Sequence, residues 1–304
     1  MNVDEIKNYI YKQSKETFME MQMGIQFPEN CYHYTSISTF LKIIKSKELR
    51  LSHFNFLNDP NEVHFGLKVI KHILRESDIY DIICGEYFED LFNLKRLKTD
   101  SIFVFSLSED GDSLSQWMSY GDHGAGVSIS FFHNRMKDFL TLPEKTKMKA
   151  FLPVNYYSDG YRGTDFYLKN DRLNNFEKNL VLIFNIIYDS IQSKMIDIEI
   201  LKFIADYIVL FASCIKHSFY ESEKEFRIIL MTSDENNIHT EFLKDSLKIY
   251  YQADIKAVMH SMISGVIIGP KHYGDERIKF GIDIELRRNE LDVIKVVPSS
   301  GIMQ

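Results

Sequence analysis

The segment Glu223-Lys224-Glu225-Phe226-Arg227-Ile228-Ile229-Leu230 sets two carboxylates two residues apart at the head of an apolar run. On a strand, residues i and i+2 share a face. Glu223, Glu225 and Arg227 are therefore expected on one face, with Lys224 on the other. Burying such a stripe is costly unless it faces a cleft or a partner. Carboxylates held at a cleft can oppose developing positive charge and move a proton. A solvated strand end with a Glu–Arg pair would carry the same residues and do no chemistry. Two other segments draw attention. Tyr32-His33-Tyr34-Thr35 puts a histidine between tyrosines on a short strand, either to bind a ligand or to satisfy backbone. Ser115-Gln116-Trp117-Met118-Ser119-Tyr120-Gly121 brings the single Trp and a Tyr close behind the strand Phe105-Ser106-Leu107-Ser108.

The rest of the chain narrows the chemistry. With 36 Lys and Arg against 43 Asp and Glu, the net charge of −7 speaks against wrapping nucleic acid through bulk positive charge. Phosphate-binding GxxxxGK[ST] and GxGxxG motifs, HExxH and GxSxG are absent from the sequence. The ten His are scattered without metal-ligand spacing, so no metal is expected to be held by them. Asp59, Glu62, Asp110, Asp112, Glu223 and Glu225 leave open a carboxylate cluster for two metals, as in a nuclease or phosphoesterase. Three widely spaced cysteines give no disulfide framework and suit a reducing, cytoplasmic setting. The first residues lack the layout of a signal peptide, and no uncharged apolar run approaches the ~18 residues of a membrane span.

These residues need elements to hold them. Apolar spacing predicts an N-terminal helix over about 2–22, a strand at 31–35, a helix from Thr39 to Ser46 and a strand at 48–52. A turn at 58–62 opens a helix to about Glu76. Ile102–Ser108 reads as a strand, Ser113 as the cap of a short helix, and Val127–Phe131 as a strand with one wet face. Another strand is expected over 150–157 and a polar loop over 158–170. Two apolar helices over about 172–193 and 197–216 form a hairpin that serves structure. Strands follow at 225–231, 265–270 and 292–297, with a helix from about Asp275. Strands interleave with helices without regular alternation, which predicts α+β in one domain over 1–304, with a core at 26–300. His33 and Glu225 are expected on neighbouring strands of a mixed sheet.

Taken in order, the segments Tyr32–Ser36, Leu49–Ser52 with Phe56–Glu62, Phe105–Ser108 with Asp112–Leu114 and Trp117–Tyr120, Gly126–Phe131, Lys216-His217 with Glu223–Arg227, and Ile267–Lys271 resemble the bacterial domain of unknown function 2971. Phe226 stands where that family more often has Trp. More remotely the pattern resembles the ADP-ribosyltransferase superfamily. That resemblance implies a mixed β-sheet core of ADP-ribosyltransferase-like type with a long helical hairpin insertion at about 172–216. It implies NAD as substrate and His33 and Glu225 as outer members of a triad. Phe54, Phe56 and Tyr120 compete for the middle aromatic. Glu223 would orient the acceptor, and Arg227 or Arg50 would meet the pyrophosphate. With Tyr34, Thr35, Phe56 and Tyr120, these residues make up the expected NAD site. The acceptor is an unidentified macromolecule, protein or nucleic acid. A bacterial toxin or phage-defence effector is the expected setting, with a second copy of the chain or an antitoxin or immunity protein as partner. A binding module that keeps the fold without catalysis is the remaining alternative.

Overall fold

The computed structural model describes residues 25–57, 59, 61–75, 102–139, 146–160, 166–170, 172, 176–191, 198–232, 235–243 and 246–301, with nine positions among the first 17. The N-terminal helix expected over 2–22 lies largely outside the described residues.

The fold is mixed α+β, built on a twisted mixed sheet. Strand β1 (Asn30–Thr35) leads into α1 (Ile37–Ser46). The Ser36 hydroxyl caps that helix by accepting from the Thr39 N–H at 3.1 Å. Next come β2 (Glu48–His53), α2 (Glu62–Arg75), β3 (Ile102–Ser108), α3 (Leu114–Ser119) and β4 (Val127–Phe132). Then follow β5 (Thr146–Pro153), β6 (Asn155–Asp159), β7 (Phe166–Asn170), α4 (Phe176–Ile191) and α5 (Ile198–Ala212). The chain closes with β8 (Ile215–His217), β9 (Glu225–Thr232), β10 (Ile238–Leu243), β11 (Ser246–Asp254), β12 (Ile263–Ile268), α6 (Glu276–Arg288) and β13 (Lys295–Pro298).

Among the described residues, ten strands form the main sheet. Its path runs β10-β11-β2-β3-β1-β4-β12-β13, with β9 between β3 and β5. The pairs are antiparallel except β12 with β13. β6, β7 and β8 make a separate three-stranded sheet. One consequence is central. β2 pairs with β3 at Ser52↔Val104 and His53↔Phe103, whereas β1 pairs with it at Tyr32↔Ser108. Between these points, at Phe105–Leu107, that edge of β3 has no ladder partner among the described residues, and the sheet forks.

Period-2 alternation along β3 and β9 divides the two faces. Phe103, Phe105, Leu107, Phe226, Ile228 and Leu230 enter the core under α1 and α6. On the other face Ile102, Ile229 and Met231 enter the core under α2, α4 and α5. Further along that second face the apolar residues give way to the cross-strand pairs Ser106↔Arg227 and Ser108↔Glu225. The site therefore begins where the second core ends. α5 crosses α2 so closely that a Cβ on Gly66 would meet the Ala212 carbonyl oxygen at 2.4 Å.

Several expectations are corrected. The strand expected over 150–157 is two strands in different sheets, because Pro153 cannot continue a ladder as donor. Residues 166–170 of the expected loop form β7. The serines of β4 do not face water. Ser128 and Ser130 are buried, and Ser130 Oγ lies 2.6 Å from Ser264 Oγ, which in turn donates to Asn30 Oδ1 at 2.7 Å. This polar ladder satisfies the Ser130 and Ser264 hydroxyls across β4, β12 and β1. The second apolar helix ends at Ala212, and Ile215–His217 is a strand. In α4, Leu180, Ile183, Phe184 and Ile187 are buried at helical spacing, whereas Leu182 is exposed; in α5, Val209 is buried. His33 and Glu225 do not sit on neighbouring strands, since β3 runs between β1 and β9.

Candidate active site

The fork opens into a cleft of about 330 Å³, lined by both sides of the split sheet and by the turn before β9. His33, Tyr34, Arg50, Phe56, Tyr120, Glu223, Glu225 and Arg227 all line it. Thr35 does not: it is buried in the ladder opposite Val127. Phe54 is also excluded, being 2 % exposed in the core under α2.

His33 bridges the fork. Its Nδ1 lies 3.0 Å from the Ser106 carbonyl oxygen, one of the groups freed by the parting of the strands. A carbonyl only accepts, so Nδ1 carries the proton and Nε2 of the neutral ring keeps a lone pair. Burial lowers the His33 pKa, against the opposing Ser106 bond, and favours that neutral form. The ring stacks on Phe105 with centroids 4.4 Å apart. Tyr34 has little left to offer a ligand. Its hydroxyl donates to the Asp110 carbonyl at 2.8 Å and accepts from the Ser113 N–H at 2.9 Å.

Glu223 and Glu225 share the cleft but not a strand. Glu223 ends a 3-10 turn, Ser218–Glu223, and Glu225 begins β9. Between them Lys224 takes a left-handed conformation at φ 45° and points its exposed side chain outward. The turn replaces strand alternation as the device that puts both carboxylates on one side.

What they meet there is Lys216, which the sequence reading left without a role. This lysine of β8 is 4 % exposed. Its Nζ contacts Glu223 Oε2 and lies 3.0 Å from Glu225 Oε2 and 3.5 Å from Glu62 Oε2. Arg227 closes the other side. Its Nε and Nη2 donate to the two Glu225 oxygens at 2.7 and 2.9 Å. Its Nη1 donates to the Ser213 carbonyl at 2.6 Å and pairs with Glu62 Oε1 at 2.5 Å. The fork of Arg227 is thus engaged from within the protein, and the expected meeting with a pyrophosphate is not its use here. Three buried carboxylates face two buried cations.

The two neighbouring glutamates ionise differently. Burial alone would raise Glu225, but Arg227 and Lys216 outweigh it and hold the carboxyl down, at about 2. Burial raises Glu223, with Glu225 adding to it and Lys216 opposing it. Glu225 is held toward its anion, and Glu223 is shifted toward its protonated form. Such a separation is how paired acids divide roles. Tyr120 O–H donates to Glu223 Oε1 at 2.9 Å, and burial raises its own pKa. That contact singles out Tyr120 among the aromatics considered.

Tyr220, on the same turn as Glu223, places its ring 5.0 Å from Lys216 Nζ. Its only hint in the sequence is its place three residues before Glu223. Arg50 sits at the rim, paired with Glu241 and stacked on Tyr250 at 4.4 Å. The carboxylates considered as metal ligands do not converge on an open position. Glu62, Glu223 and Glu225 converge on Lys216 and Arg227. Asp112 instead accepts from Trp117 Nε1 at 2.8 Å and from the Ser300 N–H at 2.7 Å. No group of three or more His, Cys, Asp or Glu among the described residues is placed to hold a metal ion.

Comparison with known proteins gives one family. The model of DUF2971, a protein family of unknown function, matches residues 116–228. The match runs from α3 into β9 and takes in Tyr120, Lys216, Glu223, Glu225 and Arg227, which supports the resemblance to that family. No curated protein and no solved structure matches the chain. No helix among the described residues is long and apolar enough to cross a membrane.

Proposed function

We propose that the cleft binds NAD and transfers its ADP-ribose to an acceptor. The observation that carries this reading is the convergence of His33, Tyr120, Glu223 and Glu225 on one cleft, with Arg227 and Lys216 holding the Glu225 pKa down and burial raising that of Glu223. At about 330 Å³ the cleft lies at the small end of ligand sites, which run ~300–1,000 Å³. It suits the nicotinamide–ribose end, with the rest of the dinucleotide leading past Arg50 at the rim.

In this reading the bond between ribose C1′ and the nicotinamide nitrogen breaks. The electron pair leaves with nicotinamide, and positive charge builds on the ribose as in glycoside hydrolysis. The Glu225 carboxylate opposes that charge, which exists only in the transition state. The lone pair on His33 Nε2 accepts from a ribose hydroxyl or the carboxamide. An acceptor O–H or N–H then attacks C1′, and its proton passes to Glu223. Tyr120 holds Glu223 in place for that transfer.

A second reading has its own support. Both Glu225 oxygens are already engaged by Arg227 and Lys216, which suits a cleft that binds a nucleotide without cleaving it. Equilibrium dialysis with labelled NAD, followed by chromatography for free nicotinamide, separates the two. Binding with nicotinamide release, insensitive to a chelator, supports transfer. Binding without release supports the second reading. Absence of binding in both the parent and Glu225→Gln sets both aside.

A further inference from the structure

Lys216 meets three carboxylates from three different elements: Glu62 at the start of α2, Glu223 at the end of the turn, and Glu225 at the start of β9. Among the described residues, several groups face this cluster, including Ser106 of β3 on Glu225 and Arg172, whose Nη1 donates to the Glu225 carbonyl at 3.1 Å. Arg227 comes from β9, Tyr220 from the turn, Tyr120 from α3 and Tyr156 from β6. Tyr156 accepts from the Glu225 N–H at 2.9 Å. Arg227 serves Glu225 and Glu62 but makes no contact with Glu223. Among the described residues, Lys216 is therefore the cation that touches all three acids and the one that touches Glu223.

We propose that Lys216 is the positioning residue that keeps Glu223 and Glu225 in separate roles. Arg227 grips both oxygens of Glu225. Glu223 has Lys216 as its contacting cation, beside the Tyr120 O–H, to offset its burial and the Glu225 charge next to it. When Glu223 takes a proton and loses its claim on the ammonium, Glu225 and Glu62 still hold Lys216. The lysine thus stays charged while the proton moves. Its contact with Glu62 also splits its charge, so Glu62 tunes Glu223 without touching it.

Two opposite signs follow. Removing the ammonium raises the pKa of Glu223, because its charged form loses its cation. Removing the Glu62 charge lowers it, because one anion is gone and Lys216 is freed for Glu223. The consequence for turnover rests on the transfer reading above, but the titration does not. The experiment is carbon NMR of the whole chain with side-chain-carboxyl-labelled glutamate, the Glu223 signal being the one that vanishes in Glu223→Gln. In Lys216→Met the Glu223 midpoint should rise by more than about one pH unit, and Lys216→Arg should return it most of the way. In Glu62→Gln it should fall. A folded Lys216→Met with the parent's midpoint overturns the proposal. Should that variant fail to fold, a Glu223 midpoint in Glu62→Gln that stays or rises overturns it instead. A merely structural role for Lys216 would not shift one midpoint in opposite directions. If the titrations behave as expected and no nicotinamide is ever released, the role of Lys216 stands and the transfer reading falls.

Discussion

At the scale of single residues, the cleft is a buried charge cluster whose members depend on one another. Arg227 is 1 % exposed and holds Glu225 with a two-pronged grip. Truncating one partner of a buried pair leaves an uncompensated charge and costs about 3–5 kcal/mol. Arg227→Met should lose about that much in urea unfolding. Arg227→Lys should recover little of it, because an ammonium cannot grip both oxygens of Glu225 while also reaching Ser213. Acid should reveal the same grip. The Glu225 carboxyl lies at about 2 in the folded chain against an ordinary value of 4.5. A group depressed on folding stabilises above its unfolded pKa and loses that contribution as pH falls through the folded one. Stability should therefore drop between about pH 4.5 and 2, and Glu225→Gln should flatten that part of the curve. Glu223, raised on folding, acts with the opposite sign, so the test is the difference between parent and Glu225→Gln. In catalysis, Glu223→Gln should spare NAD hydrolysis more than transfer to an acceptor, since water is the more abundant nucleophile.

At the scale of elements, the site depends on how α2 and the 218–223 turn are seated. Gly66 lets α2 approach Ala212 at the end of α5, and α2 delivers Glu62 to Lys216 and Arg227. Gly66→Ala should cost about 1–3 kcal/mol by overpacking backbone against backbone, measurable in the urea midpoint. Lys224 stands at φ 45° between the turn and β9. Lys224→Gly should be neutral or stabilising by up to about 1 kcal/mol, and Lys224→Val clearly destabilising, because β-branching resists that conformation. Most elements were legible because their apolar period was clear, as in Ile102–Ser108 and Glu62–Arg75. The misread ones share a physical cause. Pro153 separates two strands that read as one apolar run, and β7 is a five-residue strand, Phe166–Asn170, at the end of a polar stretch. The left-handed Lys224 is invisible in a Glu-Lys-Glu sequence that alternates like a strand. The right faces were assigned there by the wrong device.

At the scale of the whole molecule, the candidate site lies in the fork of the sheet. β1 and β2 share an edge of β3 and part at Phe105–Leu107, so a cleft opens beside two packed cores and not between them. The sequence located the cleft's contributors well, because polar residues inside strands are costly unless they face such an opening. It named Lys216 only within a family-like segment and gave it no role. A single lysine after Ile208–Ile215 reads as a helix end, and only the fold shows its three acids. It also misplaced Thr35, whose neighbours on β1 line the cleft while it pairs in the ladder. The match of the DUF2971 model over 116–228 takes in Tyr120, Lys216, Glu223, Glu225 and Arg227 of the charge cluster, while Glu62 lies outside it. The central claim is that this cluster acts on a ribosyl cation through Glu225, and nicotinamide release from NAD by the parent and by Glu225→Gln measures that most directly. The account expects release by the parent and a loss on the order of a hundredfold or more in the variant, with NAD binding largely kept. Equal release by the two proteins, or none by the parent while NAD is bound, would contradict it.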